Sequence, residues 1–161
     1  MDLAARDVMT EEAVSVDPEL SLPELERLFL IKKVSGFPVV SKGRLVGTIS
    51  RSDIVRQFCA QQSIEEATSD FYQEIAPSAL GESLDSLEEI AGRAGKQLEN
   101  LRVKDVMIEQ LRVVGLDAPV SNIARMMIDH HIHRVLVTRD DELLGIISSL
   151  DLVKLLVTER D

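Results

Sequence analysis

Gly145-Ile146-Ile147-Ser148-Ser149-Leu150-Asp151-Leu152-Val153-Lys154 is the stretch on which the fold turns. It reads as a buried strand, a tight exit and the opening turns of a helix. The same pattern stands earlier as Gly47-Thr48-Ile49-Ser50-Arg51-Ser52-Asp53-Ile54-Val55-Arg56. The two aspartates are 151 − 53 = 98 residues apart. Each strand-to-helix junction carries a hydroxyl and then a carboxylate.

The same shift aligns the flanks without a gap. Asp7-Val8-Met9 falls on Asp105-Val106-Met107, Val16 on Val114, Arg27 on Arg125 and Val39 on Val137. Leu22, Leu25, Leu28 and Phe29 fall on Val120, Ile123, Met126 and Met127. Self-similarity of this kind marks two copies of one supersecondary unit, neither of which need bury its face alone.

In the first copy a short strand is predicted over Ala13 to Val16, and Asp17-Pro18 turns the chain. Ser21-Leu22-Pro23-Glu24 has capping-box spacing, with Pro early in the first turn. Leu22, Leu25, Leu28 and Phe29 share one helical face, and Lys32 and Lys33 close the helix favourably against its dipole. Phe37 to Val40 and Leu45 to Ile49 read as a hairpin around Ser41-Lys42-Gly43-Arg44. A second helix starts after Ser50. The second copy repeats the order: Leu111 to Val114, Val120 to Ile128, Arg134 to Val137, Leu143 to Ile147, Asp151 to Val157. Val135-Leu136-Val137 is apolar throughout, which suggests a sheet covered on both faces.

The fold class is therefore α/β (α+β): a first repeat over 1–59, a helical insert over 60–100 and a second repeat over 101–161. Pro77-Ser78 breaks the insert. Leu84, Leu87, Ile90, Ala91, Ala94 and Leu98 then mark an amphipathic helix, with Glu82, Asp85, Glu88 and Glu89 on its other face. Such a stripe is a packing helix between the repeats or a dimer or partner surface.

At 161 residues there is length for a real core. Aromatics are 3% and Trp is absent, so that core is aliphatic and no indole stacks on a base. A net charge of −10 repels phosphate backbones and acidic membrane surfaces, which argues against nucleic-acid or membrane partners. The lone Cys59 excludes an internal disulfide and a cysteine metal cluster; its apolar surroundings predict a buried thiol. No signal peptide or bilayer-spanning run is apparent, so a cytoplasmic location is expected.

The arrangement resembles a tandem pair of CBS domains, the modules named after cystathionine β-synthase. The matching pieces are Asp7-Val8-Met9-Thr10, Gly36-Phe37-Pro38-Val39-Val40 and the first junction. In the second copy they are Asp105-Val106-Met107, His133-Arg134-Val135-Leu136-Val137 and the second junction. The insert is longer than the usual linker of this family, and Leu136 stands where proline is common. The resemblance implies two pseudo-symmetric βαββα units packed through their sheets. It also implies clefts for adenosine compounds (AMP, ADP, ATP, NAD or S-adenosylmethionine), a homodimer, and a regulatory role towards an effector protein.

The junction chemistry fits that expectation. Ser148 and Asp151 lie on one face of a first helical turn. An ionised Asp accepts only, and can take both hydroxyls of a ribose diol. The helix-terminal N–H groups favour an anion. Ser-x-x-Asp is equally a capping-box variant, which needs no ligand. His133-Arg134 ahead of the central strand is similar to an AMP-binding repeat of the γ subunit of AMP-activated protein kinase, where these residue types face phosphate. Arg134 offers a two-pronged donor to phosphate oxygens. At the first junction Ser50 and Asp53 are present, but Ser35-Gly36 replace His133-Arg134, with Arg51 or Lys32 as substitutes. By the resemblance, Thr10 and Ser15 contact the ligand of the opposite repeat.

His130, His131 and His133 do not complete a four-ligand zinc set. No nucleophile elbow, Walker loop or zinc-peptidase helix appears, so no enzyme is expected. The leading expectation is an adenine-nucleotide-sensing regulatory module. The rival is a ligand-free interaction scaffold in which both aspartates are only caps.

Overall fold

The computed structural model describes residues 3–60 and 96–158. In the first repeat α1 (Ala5–Val8), β1 (Thr10–Glu11), α2 (Leu22–Lys32), β2 (Gly36–Ser41) and β3 (Arg44–Ser50) precede a helix α3 over 51–60. Residues 96–99 are helical (α4). Then come α5 (Val103–Val106), β4 (Val113–Val114), α6 (Val120–Asp129), β5 (Arg134–Arg139), β6 (Glu142–Ser148) and α7 (Ser149–Thr158). The amphipathic stripe from Leu84 to Ala94, its acidic face and the Pro77 break lie outside the described residues.

Local chemistry accounts for the boundaries. Ser21 caps α2 reciprocally: its Oγ accepts from the Glu24 N–H, and the Glu24 carboxylate accepts from the Ser21 N–H. Lys33 ends the helix in the left-handed conformation, as His131 does after α6. The β2–β3 hairpin turns through Lys42 and Gly43, both at positive φ, which suits the right-handed twist of the flanking strands. Asp140 and Asp141 turn the β5–β6 hairpin in the same way.

The first copy has no strand over residues 13–16; β1 forms earlier, at Thr10–Glu11, and Val16 makes only an isolated parallel bridge to Val39. Cys59 is exposed rather than buried, because its place on α3 turns it away from the apolar face. In addition, His131 sits in a left-handed turn and β5 begins only at Arg134, so His131 and His133 do not share a strand.

The chain divides into two compact units, each assembled from separated stretches: 1–17 with 37–48 and 108–161, and 18–36 with 49–107. In the first unit a four-stranded sheet runs β1-β6-β5-β4, with β4 parallel to β5 and the other pairs antiparallel. One sheet face carries Val135, Val137 and Ile147, which pack with Ile123 and Met127 of α6 into a closed core. Leu136, pointing to the other face, is also buried, so this strand is covered on both sides.

Ala5 belongs to that same core at 0% exposure, although it comes from the first repeat. Its N–H donates to the Ala118 carbonyl at 2.9 Å, the Arg6 N–H donates to Leu116, and the Val120 N–H donates to Leu3. Arg6 pairs with Asp117. The second unit contains the counterpart. The Val103 N–H donates to Leu20 at 2.9 Å, Lys104 to Pro18, and Leu22 to Leu101, and Lys104 pairs with Glu19 at 2.7 Å. Each of these contacts is the other shifted by 98 residues. Each repeat thus lends its lead-in segment to its sister. The Asp-Val-Met motif serves this loan. Asp7 accepts from the Ala4 N–H and Asp105 from the Arg102 N–H, both at 2.8 Å, fixing the start of a short helix.

Candidate functional site

The second junction is built where β6 ends and α7 starts. The Ser148 N–H donates to Asp151 Oδ2 at 2.8 Å, and the Ser148 hydroxyl donates to the same oxygen at 2.6 Å. The Asp151 N–H returns a bond to Ser148 Oγ at 3.3 Å. This is a reciprocal cap, and it fixes the carboxylate against the first turn. The Ser149 N–H donates to the His133 carbonyl at 2.9 Å, tying the helix start to the start of β5.

Arg134 is the cross-strand partner of Ser148. Directly opposed residues of an antiparallel pair present their side chains on one face. Arg134 and the Ser148–Asp151 pair therefore flank one strand end, and His133 precedes them on the same edge. His133 and Arg134 are exposed. Among the described residues Arg134 has no ion-pair partner within 4.0 Å. In the next row Thr10 stands opposite Ile146, and Ile146 opposite Leu136. Thr10 thus reaches the second repeat's sheet on the face that Ser148 and Arg134 share. Ser15 lies outside that register, exposed and next to Val16, which is bridged to Val39.

The first junction has the same bonds. Ser50 donates to Asp53 Oδ2 through its N–H and its hydroxyl, both at 2.8 Å, and the Asp53 N–H returns to Ser50 Oγ at 3.3 Å. The Arg51 N–H donates to the Ser35 carbonyl. Ser35-Gly36 bring no charge to this edge. The Arg51 guanidinium lies over the Phe29 ring, 5.4 Å from its centre, a stacking that favours the cation.

A basic residue at each junction escaped the sequence reading. Lys154 Nζ lies 3.1 Å from Asp151 Oδ1, and Arg56 Nη1 lies 3.2 Å from Asp53 Oδ1. The two are equivalent under the 98-residue shift, since 154 − 98 = 56. The signal was the full spacing Ser-x-x-Asp-x-x-Lys/Arg, in which i,i+3 neighbours share a helix face. Burial pushes the Asp151 carboxyl up, but the Ser148 hydrogen bonds and Lys154 outweigh it and hold the group below the usual carboxylate range.

Among the described residues no three His, Cys, Asp or Glu side chains gather closely enough to hold a metal ion. No described helix is long and apolar enough to cross a membrane.

Two copies of one strand–helix junction, on repeats that exchange their lead-in segments, define a tandem CBS-domain architecture. The CBS-domain family model matches residues 5–59 and 103–158, and the chain belongs to this family. It is 31% identical over 158 residues to the uncharacterised protein MJ1426 of Methanocaldococcus jannaschii, covering 94% of this chain and 90% of that protein. Among solved structures it is similar to CBSX2 in complex with AMP, with a TM-score of 0.69 and 21% identity, covering 98% of both chains. It is also similar to the CBS domain pair of MJ0100 in complex with 5′-methylthioadenosine and S-adenosylmethionine. That likeness has a TM-score of 0.66 and 17% identity and covers 99% of this chain and 100% of the other.

Proposed function

We propose that this chain is a regulatory module that binds an adenine nucleotide (AMP, ADP or ATP) at its second junction, and that an effector protein reads the resulting change. The observation that supports this reading is the pairing of Arg134 with Ser148 across β5 and β6, at the strand end where Ser148 holds the Asp151 carboxylate. In this reading Asp151 takes the ribose diol, Arg134 and His133 face the phosphate, and Ser148 and Thr10 line the approach. That two solved structures of this fold hold AMP or S-adenosylmethionine supports the ligand class. The first junction, with Ser50 and Asp53 but no equivalent of Arg134, binds more weakly. Ser15, expected at the ligand of the second junction, lies outside the register that pairs Thr10 with Ile146. The module acts as a homodimer without catalysis of its own, and the binding signal passes only through a difference in affinity between its states.

A thermal-shift and calorimetric panel of AMP, ADP, ATP, NAD and S-adenosylmethionine tests this, because a ligand of the folded state raises its melting temperature by mass action. Arg134→Ala is expected to weaken AMP binding roughly tenfold to a hundredfold, the size of a lost charge-assisted bond. Its exposed position leaves the fold intact. Equal shifts in parent and variant overturn the reading.

The rival is a ligand-free scaffold, and one observation favours it: the Asp151 carboxylate already satisfies Ser148 and Lys154. A panel in which no adenosine compound shifts the parent selects it.

A further inference from the structure

Both oxygens of the Asp151 carboxylate accept hydrogen bonds. Oδ2 takes two bonds from Ser148, and Oδ1 takes one from Lys154. A carboxylate has about four lone-pair positions. The two cap bonds come from residues fixed by the strand-to-helix turn. The Lys154 bond comes from a flexible stem whose side chain is 66% exposed, against 17% for Asp151. A diol that needs two acceptor positions on this carboxylate therefore meets the ammonium as its weakest obstacle. The first junction repeats the arrangement with Arg56 on Asp53 Oδ1, its side chain 70% exposed. Chemically different bases at the equivalent position, each on the oxygen that the serine leaves open, single out this third position of the motif.

We propose that Lys154 is a built-in competitor for the ribose diol. It holds Asp151 in the binding geometry while the cleft is empty, yields its place when a cis-diol arrives, and so sets the affinity of the second junction. Arg56 does the same at the first. This rests on the nucleotide reading above and adds a residue that determines how strongly the diol is held.

The consequence for a neutral ligand is distinctive. Salt screens an exposed ion pair, so adenosine, which has the diol and no phosphate, binds the parent more tightly as ionic strength rises. In Lys154→Met the competitor is gone. Adenosine affinity rises roughly two- to fivefold at low salt, the size of an exposed ion pair, and its salt dependence vanishes. Lys154→Arg restores parental behaviour. 2′-Deoxyadenosine, which lacks the diol, is unaffected by either change.

Isothermal titration of the three proteins with both nucleosides and AMP, at low and high salt, tests the assignment, with thermal melts confirming that each variant folds. Unchanged or weakened adenosine binding in Lys154→Met, with AMP still bound by the parent, overturns the competitor role alone. No binding of AMP or adenosine to the parent overturns the nucleotide reading, and the competitor role with it.

Discussion

Asp151 caps α7 through Ser148, the residue that pairs with Arg134 across the strands, and the proposed binding role would place a second demand on the same carboxylate. The cap demand has a measurable pH signature. Its folded pKa lies below the usual range, owing to Ser148 and Lys154 acting against burial. A depressed carboxylate contributes stability above its unfolded value, about 3.9, and loses it as pH falls through the folded value. Asp151→Asn keeps an oxygen for Ser148 but loses the charge. It is expected to be less stable than the parent by up to about 1 kcal/mol at neutral pH. Denaturant melts between pH 3 and pH 7 should show the gap closing below about pH 4; a gap that persists there would remove the carboxylate from the explanation. The Ser-Asp pair was legible in the sequence because one helical turn contains it. Lys154 obeys the same arithmetic and was overlooked because a surface lysine rarely signals anything by itself.

The elements that were legible are those held by local patterns. The α2 cap, the β2–β3 turn and the apolar run of β5 all follow from residues within a few positions of one another. β1 was not legible, since Thr10-Glu11 shows no apolar alternation, and it is a strand only because β6 offers it a partner far away in sequence. That partnership depends on Gly145. A Cβ there would lie 2.7 Å from the Thr10 carbonyl oxygen and 2.9 Å from Met9 Sδ. Gly145→Ala is expected to push β1 off β6, with a loss of about 1–3 kcal/mol typical of overpacking. Amide exchange should show lost protection at Thr10 and Ile146, with protection within the β5–β6 hairpin retained. Unaltered protection at Thr10 would mean that the strand yields without separating.

For the whole molecule, the repeats were legible from a fixed offset, but the exchange between them was not. An ungapped alignment says that two copies exist and is silent on which copy owns which contact. Ala5, Val8 and Met9 complete the second repeat's core, so removal of residues 1–17 should leave that core open. The shortened chain is expected to melt lower and less cooperatively than the full one. A peptide of residues 3–17 added in trans should restore the transition in a concentration-dependent manner. A shortened chain with the parental melting curve would show that the lead-in segment is dispensable.

The reciprocal loan also has a kinetic meaning. One repeat cut free would carry an unclaimed segment and an unfilled groove together, so two such halves would each supply what the other lacks. Their encounter would be second-order and would fail on dilution. Carried on one polypeptide, the same halves meet in an intramolecular step, and maturation becomes indifferent to how much protein the cell makes.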